Sequence, residues 1–370
     1  MAWIDRLFAA RDHLVASPRF QRWAASFPLA RPIAQRRMRA LFDLTAGFVY
    51  SQVLYACIEL RVLDILAERP LETDALARRL SLEADSTERL LKAASALGLA
   101  SKRGQCWALG MDGAALLGNP GAIAMIRHHA LLYRDLADPV ALLRGERAST
   151  NLGLFWPYAS HDENAARADD EAVKAYTALM ADSQQFVRDD ICDAYDFGQH
   201  RRLLDIGGGE GVFACAVARH APSLDLVVFD LPAVASRATA RFEAGEISNR
   251  AVAVGGDIWR DPLPTGADVA TLVRVLHDHD DDHALTLLIK IRAALAPRGT
   301  LVIAEPMSDG RDGRRAGDAY FGFYLLAMGS GRARTSREIM NLLTAAGFVQ
   351  AKRRSMRRPL LTGMVTAHRN

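Results

Sequence analysis

The chain has 370 residues, of which half are apolar and about a quarter charged, and its formal net charge is +3. This length allows two domains with sizeable cores, on a prior of about 150 residues per domain. The composition is ordinary for a globular protein and excludes a low-complexity chain. So small a net charge gives no general argument for a nucleic-acid or membrane partner.

Residues 1–40 form a basic segment in which arginines alternate with aromatic residues. Eight arginines face only two aspartates, a net charge of +6, and the aromatic residues between them are Trp3, Phe8, Phe20, Trp23 and Phe27. A solvated arm is the default interpretation of such a segment. The sharper hypothesis is an interfacial segment that docks on anionic lipid.

Cysteine spacing and hydropathy predict the compartment. The four cysteines have no CxxC spacing, which favours buried thiols in a reducing compartment over a disulfide framework or a zinc site. Charged residues interrupt any signal-peptide core at the N-terminus, and we expect no run of the ~20 apolar residues that span a bilayer. The sequence therefore predicts a cytoplasmic protein, with peripheral contact at the inner membrane as the only qualification.

Residues 41–110 have the pattern of a winged-helix domain. Residues 42–66 are apolar at helical spacing and predict a long buried helix, or two. Two further short helices follow, the second with a capping signature at Asp85, Ser86 and Glu88, and then a turn between two strands. Residues 111–198 are predicted to form a helical linker.

From residue 199 to the C-terminus, short apolar strands alternate with amphipathic helices. This alternation predicts an α/β domain with a Rossmann-like, doubly wound sheet. Ligands of such sheets bind beyond the carboxyl ends of the strands. The first strand ends in LLDIGGGEG, residues 203–211, where glycines permit a tight turn and a close approach to a ligand.

The acidic residues after three successive strands indicate the type of ligand. A dinucleotide fingerprint fails at Val212, and a P-loop is excluded because no lysine with Ser or Thr follows the glycines. Asp205, Asp230 and Asp257 surround the turn with no basic clamp. This arrangement suits a nucleoside that carries positive charge and no phosphate, and S-adenosylmethionine is such a molecule.

The ordered motifs LLDIGGGEG, FDLP, GGDIW, LVRVLHD and LVIAEP resemble those of class I S-adenosylmethionine-dependent O-methyltransferases of the plant caffeate and bacterial small-molecule type. The resemblance covers roughly residues 40–367, and it implies a homodimer formed through the N-terminal domain. It implies the following cofactor-binding residues: Asp205, Gly207, Gly209, Asp230, Leu231, Gly256, Asp257, Ile258 and Arg274.

Three further stretches narrow the resemblance to bacterial carotenoid O-methyltransferases. They are SPRFQRWAASFPLARPIAQRR, the junction from YDF to HRRLLDIGGGEG, and DAYFGFYLLAMGSGRART. Those enzymes methylate the 1-hydroxyl of acyclic carotenoids of the demethylspheroidene type. The resemblance therefore implies a large apolar acceptor and a role in carotenoid biosynthesis.

The stretch HDHDDDH, residues 277–283, contains the predicted base. Its histidine spacing matches no zinc signature, and we expect no metal. Asp280, Asp281 and Asp282 predict a helix start, where acids favour the free N–H groups and the helix dipole. His277 lies where the family has its general base, which removes the proton of the acceptor hydroxyl.

The family flanks its base with two acids. One corresponds to Glu305 in IAEP, and the other belongs to a GKERT-like stretch that here reads GRART, with Ala333 at the acidic position. The base is therefore expected to have one acid of the family type. The acceptor pocket is predicted from two helical stretches and one loop: Trp156, Tyr176, Met180, Phe321, Tyr324 and Met328.

Two alternatives remain open. One is an O-methyltransferase for a phenolic, polyketide or tetrapyrrole acceptor. The other is a winged-helix DNA-binding regulator with a cofactor-binding domain. Against the regulator, the third predicted helix carries only Arg89 and Lys92 as basic residues, so no nucleic-acid partner is expected.

Overall fold

The computed structural model describes residues 2–147, 149–155, 179, 185–358 and 362–370. The chain divides into two compact units, Met1–Gly118 and Asn119–Asn370. Three residues predicted to line an acceptor pocket, Trp156, Tyr176 and Met180, lie outside the described residues. The boundaries predicted at residues 40, 110 and 198 remain predictions.

Three helices open the first unit: α1 (Ala2–Ala16), α2 (Pro18–Ser26) and α3 (Arg31–Glu59). Prolines lie in the first turns of α2 and α3, where their missing N–H leaves no hydrogen bond unmade. Helix α1 exposes an apolar face at helical spacing, formed by Trp3, Ile4, Leu7, Phe8, Leu14 and Val15. On α2, the ring of Trp23 lies between those of Phe20 and Phe27.

Helix α3 corrects two expectations. The part of this 29-residue helix from residue 42 onward was expected to be buried. In the structure, however, large apolar side chains around this point are each more than three-fifths exposed: Leu41, Phe42, Leu44 and Phe48. By length and composition alone the helix could cross a membrane, although no such segment was expected. This is weak evidence, because a signal sequence or the core helix of a soluble protein passes the same test.

The rest of the first unit follows the predicted order of elements. Helices α4 (Val62–Glu68), α5 (Thr73–Leu80) and α6 (Ala84–Ala96) precede strands β2 (Ala100–Arg103) and β3 (Cys106–Leu109), and α7 (Met111–Leu117) closes the unit. A short strand β1 (Leu71–Glu72) pairs with β3. The predicted cap of α6 is wrong: the helix begins one residue earlier, and its N-cap Glu83 makes no side-chain capping bond.

Among the described residues, four α-helices precede the sheet of the second unit: α8 (Pro120–Asp135), α9 (Pro139–Leu143), α10 (Asn151–Phe155) and α11 (Gln185–Ala194). Helices α8 and α9 have side-chain caps. The Ala122 N–H donates to the side chain of Asn119, and the Ala141 N–H donates to the side chain of Asp138. The buried carboxylate of Asp135 accepts hydrogen bonds from the backbone of Asn151 and Leu152, which ties α8 to α10.

The second unit contains the predicted doubly wound sheet. Its strands are β4 (Arg202–Ile206), β5 (Asp225–Asp230), β6 (Ala251–Gly255), β7 (Val269–Val273), β8 (Thr300–Glu305), β9 (Val349–Arg354) and β10 (Gly363–His368). The order in the sheet is β6-β5-β4-β7-β8-β10-β9. Strands β4 to β8 are parallel, whereas β10 pairs antiparallel with both β8 and β9. The sheet is therefore mixed.

Both faces of this sheet are covered. The helices concerned are α12 (Val212–His220), α13 (Pro232–Ala244), α14 (Asp281–Ala294) and α17 (Ser336–Ala345). Alternate residues of the central strands enter two apolar clusters, as the side-chain period of two requires. The chain order reverses between β4 and β7, and this is the place where such folds bind ligands.

Candidate active site

The turn after β4 is built on glycines that tolerate no side chain. Gly207 and Gly211 have positive φ angles of 65° and 75°. A Cβ at Gly207 would lie 2.8 Å from Val275 Cγ2, and one at Gly211 would lie 2.6 Å from the Phe242 ring. Tertiary packing therefore fixes this turn as firmly as its backbone angles do.

The carboxylate of Asp230 fastens the glycine turn to the end of β5. Its Oδ2 accepts a hydrogen bond from the Gly209 N–H at 2.8 Å, and its Oδ1 accepts one from the Leu231 N–H at 2.7 Å. Each carboxylate oxygen can accept a further bond, so Asp230 remains able to bind hydroxyl groups of a ligand. Asp230, Leu231 and Gly209 thus lie together, as predicted for a cofactor site.

Asp205 lies beneath the same turn and is almost fully buried. Thr271 Oγ1 donates to its Oδ1 at 2.7 Å, whereas its Oδ2 has no hydrogen-bond partner among the described residues. Burial raises the pKa of Asp205 to about 7, against the lowering effect of the Thr271 hydrogen bond. A positively charged ligand above the turn would favour the ionised form of this group.

Asp257 and its neighbours lie one strand further along the sheet. The Gly256 N–H donates to the Asp230 carbonyl at 2.9 Å, and Asp257 Oδ1 accepts from the Trp259 N–H at 2.7 Å. About a third of the Asp257 side chain is exposed, so it can still meet a ligand. Ile258 is partly buried against the core, and its carbonyl accepts from Lys290 Nζ.

His277 lies in a short 3-10 turn, Leu276–Asp278, directly beyond β7, and only 4% of it is exposed. Its Nε2 is 3.2 Å from Asp278 Oδ1, and its buried Nδ1 has no hydrogen-bond partner within the described part of the chain. Burial, followed by the charges of Arg274, His279 and Arg334, lowers the pKa of His277 to about 3. The imidazole is therefore neutral at pH 7.

Glu305 meets the main chain of His277 and not its ring. Its Oε2 accepts from the His277 N–H at 3.0 Å, and its Oε1 has no partner among the described residues. Burial raises the pKa of Glu305 to about 7. Glu305 thus positions the backbone of the base, whereas the acid beside the ring is Asp278, which the sequence analysis did not single out.

Asp278 is the neighbour of the base along the chain as well as in space. Burial raises its pKa well above the ordinary range, opposed by the charge of Arg274. Within the LHD stretch, residues 276–278, only the histidine was predicted to have a catalytic role. The signal available was adjacency, since Asp278 directly follows the predicted base in the chain.

The other residues of HDHDDDH have structural roles. Asp280 is the N-cap of α14, and its side chain accepts from the His283 N–H at 2.9 Å, as the helix-start prediction required. His279 is buried, with its ring centre 4.9 Å from that of Trp259. His283 is partly exposed and contacts Asp280.

Aromatic side chains lie beside the base. The short helix α15 (Gly310–Arg314) leads into a π-helical stretch (Arg315–Phe321). Phe321 ends that stretch, and its ring centre lies 5.8 Å from that of His277. Tyr324 lies on the next helix, α16 (Gly322–Met328), with its ring centre 6.2 Å from that of Phe321. Met328 is buried in the cluster that joins α16 to Leu132, Leu142 and Leu152.

Two histidines that the sequence analysis missed pair with this aromatic group. His129 Nε2 lies 2.6 Å from the Tyr320 hydroxyl, and His128 Nε2 lies 2.9 Å from the Tyr324 hydroxyl. Burial lowers the pKa of His128 to about 4, so it is uncharged at pH 7. The partners are separated by about 190 positions, and no local pattern predicts such pairs.

Comparison with known proteins accords with this geometry. Residues 133–349 match the model of the O-methyltransferase domain family, and residues 42–110 match that of the O-methyltransferase dimerisation domain. The chain is 44% identical to demethylspheroidene O-methyltransferase of Cereibacter sphaeroides, over 96% of this chain and 93% of that protein. It is also 44% identical to the enzyme of the same name from Rhodobacter capsulatus, over 92% and 85% of the two chains.

A solved structure supports the same assignment. The crystal structure of human N-acetylserotonin methyltransferase in complex with SAM superposes with a TM-score of 0.75 at 26% identity, covering 90% of this chain and 98% of that one. The family match spans more than half of the chain, and the relatives align along almost all of it. This chain is a member of the O-methyltransferase family, with the dimerisation domain of that family at its N-terminal end.

Proposed function

We propose that this enzyme transfers the methyl group of S-adenosylmethionine to the 1-hydroxyl of an acyclic carotenoid, with His277 as general base. The observation that carries the chemistry is the neutral, buried imidazole, whose Nδ1 has no partner in the described residues, at the edge of the sheet where the glycine turn lies. The observation that carries the acceptor is the 44% identity to two enzymes named for demethylspheroidene.

The cofactor, when bound, supplies an electrophilic methyl group on a positively charged sulfur. The glycine turn would allow its close approach, Asp230 and Asp257 would accept hydrogen bonds from its nucleoside part, and Asp205 would supply negative charge. Leu231, Gly256, Ile258 and Arg274 complete the proposed cofactor set. The unpartnered Oδ2 of Asp205 is the feature that fits a cation best, because a buried carboxylate needs a compensating partner.

His277 acts on the acceptor. We assign the proton of its ring to Nε2, where it donates to Asp278, so that Nδ1 can take the proton of the hydroxyl as the new C–O bond forms. Glu305 holds the backbone N–H of His277 and so keeps the ring at its place. A tertiary alcohol is a weak acid, and a well-placed neutral base therefore matters more than for a phenol.

The acceptor site is proposed to include Phe321 and Tyr324, together with Met328 and the predicted residues Trp156, Tyr176 and Met180. Phe321 is the described aromatic residue in direct proximity to the base, and Tyr324 lies against it. Such rings suit a long apolar substrate that carries a single hydroxyl.

The basic segment 2–40 is proposed to dock on an anionic bilayer, where a carotenoid dissolves. Helix α1 presents exposed Trp3, Leu7 and Phe8 on one face, and arginines lie along the same segment. Apolar side chains at the headgroup boundary combined with cationic residues are the usual elements of interfacial binding. The enzyme would then be a peripheral protein of the inner membrane.

The acceptor is tested with labelled S-adenosylmethionine. A 1-hydroxy acyclic carotenoid in liposomes and a panel of soluble phenols are offered in parallel, and the label is followed into each product. We expect label in the carotenoid. Label in phenols alone would preserve the methyltransferase and refute the acceptor, whereas label in neither, with cofactor still bound, would point to another acceptor class.

Membrane docking is tested by vesicle sedimentation. We expect the protein to bind vesicles of phosphatidylcholine with about 30% phosphatidylglycerol and to leave them at high salt, since screening weakens interfacial attraction. The variant Trp3→Ser/Leu7→Ser/Phe8→Ser should lose binding, and Met111→Ser, an exposed apolar position in another helix, is the control. Equal binding of all variants would refute docking through α1.

A further inference from the structure

A glycine-rich segment, residues 329–335 (GSGRART), runs along the main chain of the turn that contains the base. Ser330 Oγ donates to the Asp278 carbonyl at 3.0 Å, and the Arg332 N–H donates to the His277 carbonyl at 2.9 Å. At Gly331, with φ of 86°, a Cβ would lie only 2.2 Å from the His277 carbonyl oxygen. The segment and the turn are therefore in close backbone contact.

Arg334 anchors this segment with a side chain that is entirely buried. Its Nη1 donates to the Leu276 carbonyl at 3.0 Å, and its Nη2 donates to the His279 carbonyl at 2.8 Å. Its Nε donates to Asp281 Oδ1 at 2.8 Å. The guanidinium thus joins the residue before the base, the residue two positions after it and the first turn of α14.

The planar guanidinium is suited to this task. Its donors have a fixed geometry, so one side chain can hold three acceptors at once, which the single ammonium group of lysine cannot do with the same geometry. The residue before it, Ala333, has no polar side-chain atom, so nothing from that position can hold the imidazole. The ring has Asp278 beside it, and the turn that carries the ring is held by Arg334 and Glu305.

We infer that Arg334 is a positioning residue for methyl transfer: it clamps the main chain on both sides of His277 and thereby keeps the imidazole in line with the acceptor hydroxyl. This inference rests on the proposed role of His277 as base. Arg334 acts through the backbone and through its charge, and it is not itself assigned a contact with substrate or cofactor.

The charge of Arg334 provides a second, independent readout. Burial is the main cause of the low pKa of His277, and the electrostatic effects of Arg274, His279 and Arg334 act in the same direction. Asp278 lies beside the ring and Glu305 binds the His277 N–H from β8, and both remain in every variant below. Removing one cation favours the protonated imidazole, so the acid limb of kcat should move to higher pH.

The test compares Arg334→Met, Arg334→Lys and the control Arg337→Met, an exposed arginine on α17. The acceptor is whichever compound the wild-type enzyme methylates. We expect Arg334→Met to lower kcat by roughly tenfold to a hundredfold, as small misplacements of a catalytic group do, while the Kd of S-adenosylmethionine changes less than about twofold. Arg334→Lys should lose part of kcat yet keep the wild-type acid limb.

The folding of each variant is checked by circular dichroism and by its Tm. If Arg334→Met does not fold, a second pair of variants tests the same inference. Asp281→Ala removes the acceptor of Nε from a half-exposed position, and Asp282→Ala, in the same helical turn, is its control. We expect kcat to fall at least about threefold in Asp281→Ala alone, a smaller misplacement than loss of the guanidinium.

The inference is wrong if folded Arg334→Met retains wild-type kcat and acid limb, or, should it not fold, if Asp281→Ala matches Asp282→Ala. Failure of the proposed function would give different results: the wild-type enzyme would methylate none of the acceptors, or the His277→Ala variant would remain active.

Discussion

The reactivity of His277 is set by its surroundings and not by the ordinary properties of histidine. Burial lowers its pKa to about 3, so the ring is uncharged at pH 7. The turn that carries it is held from β8 by Glu305 and from the 329–335 segment by Arg334. The ring nitrogen opposite the Asp278 contact has no partner among the described residues.

Replacing the base tests its role directly. We expect His277→Ala to lower kcat by roughly 10²–10⁴-fold, the usual contribution of a positioned general base. The Kd of S-adenosylmethionine should change by less than about twofold, since the ring is not assigned to the cofactor. Single-turnover kinetics and calorimetric titration measure the two quantities. A large rise in Kd with little change in the chemical step would show that the residue belongs to the cofactor site.

Asp205 predicts a pH dependence of cofactor binding. Its pKa of about 7 in the folded protein means that lowering the pH below 7 protonates it. If the cationic cofactor requires the ionised form, its Kd should rise as the pH falls from 8 to 6, by at most about tenfold per pH unit for one linked proton. Calorimetric titration across this range measures the effect.

Substitution of Asp205 provides the control for that dependence. Asp205→Asn should bind the cofactor weakly at pH 8 and show little pH dependence between 6 and 8. Asp225→Asn, at the opposite end of the neighbouring strand, should behave like the wild type. An unchanged pH dependence in Asp205→Asn would assign the linked proton to another group.

The turn between β4 and α12 shows why an element needs more than its local sequence. Gly209 and Gly211 both have positive φ, but only at Gly211 would an added Cβ strike a neighbour, the buried ring of Phe242. Alanine substitutions at the two positions therefore distinguish the cost of backbone strain from the cost of a steric clash. The same turn also carries the N–H that Asp230 binds, so its shape and the cofactor site are linked.

Alanine at these two positions should have unequal effects. We expect Gly209→Ala to lower the free energy of unfolding by about 1–2 kcal/mol from backbone strain alone. Gly211→Ala adds a steric clash and should cost about 2–5 kcal/mol, the sum of that strain and typical overpacking. Urea unfolding of both variants gives the comparison. Equal losses would mean that the Phe242 ring moves aside without cost.

At the scale of the whole molecule, the first unit leaves a large apolar surface on α3. Leu44 and Phe48, one turn apart, are each more than 70% exposed. The match to the O-methyltransferase dimerisation domain begins at residue 42, within this helix. We propose that a second copy of the chain covers this surface, which differs from the membrane-docking face proposed on α1.

Charge on this surface should break the dimer. We expect Leu44→Glu/Phe48→Glu to shift the protein from dimer to monomer in light scattering, because a buried carboxylate without a partner is strongly unfavourable. Val140→Glu, an exposed apolar position in the second unit, is the control. A dimeric double variant would place the subunit interface elsewhere in the chain.

Local patterns in the sequence were enough to predict the order of the strands and helices in the α/β domain and the edge of the sheet at which the proposed cofactor-binding residues lie. Strand period, glycine turns and acids at strand ends are local signals, and parallel strands bring their carboxyl ends to one edge whatever packs around them. The apolar run before His277 likewise predicted that this residue lies beyond the end of a strand, where the 3-10 turn after β7 places it. The resemblance of ordered motifs then indicated the chemistry.

The way in which the base is held, and the surfaces that stay exposed, depend on contacts between distant parts of the chain. Arg334 lies more than fifty positions from the carbonyls that it binds, and His128 and His129 meet tyrosines about 190 positions away. Helical periodicity predicted that α3 is apolar but not that its face is left open. Such contacts join residues that are distant in sequence, so local periodicity and spacing do not predict them. They form because a buried polar group is shielded from water and needs a hydrogen-bond partner within the protein.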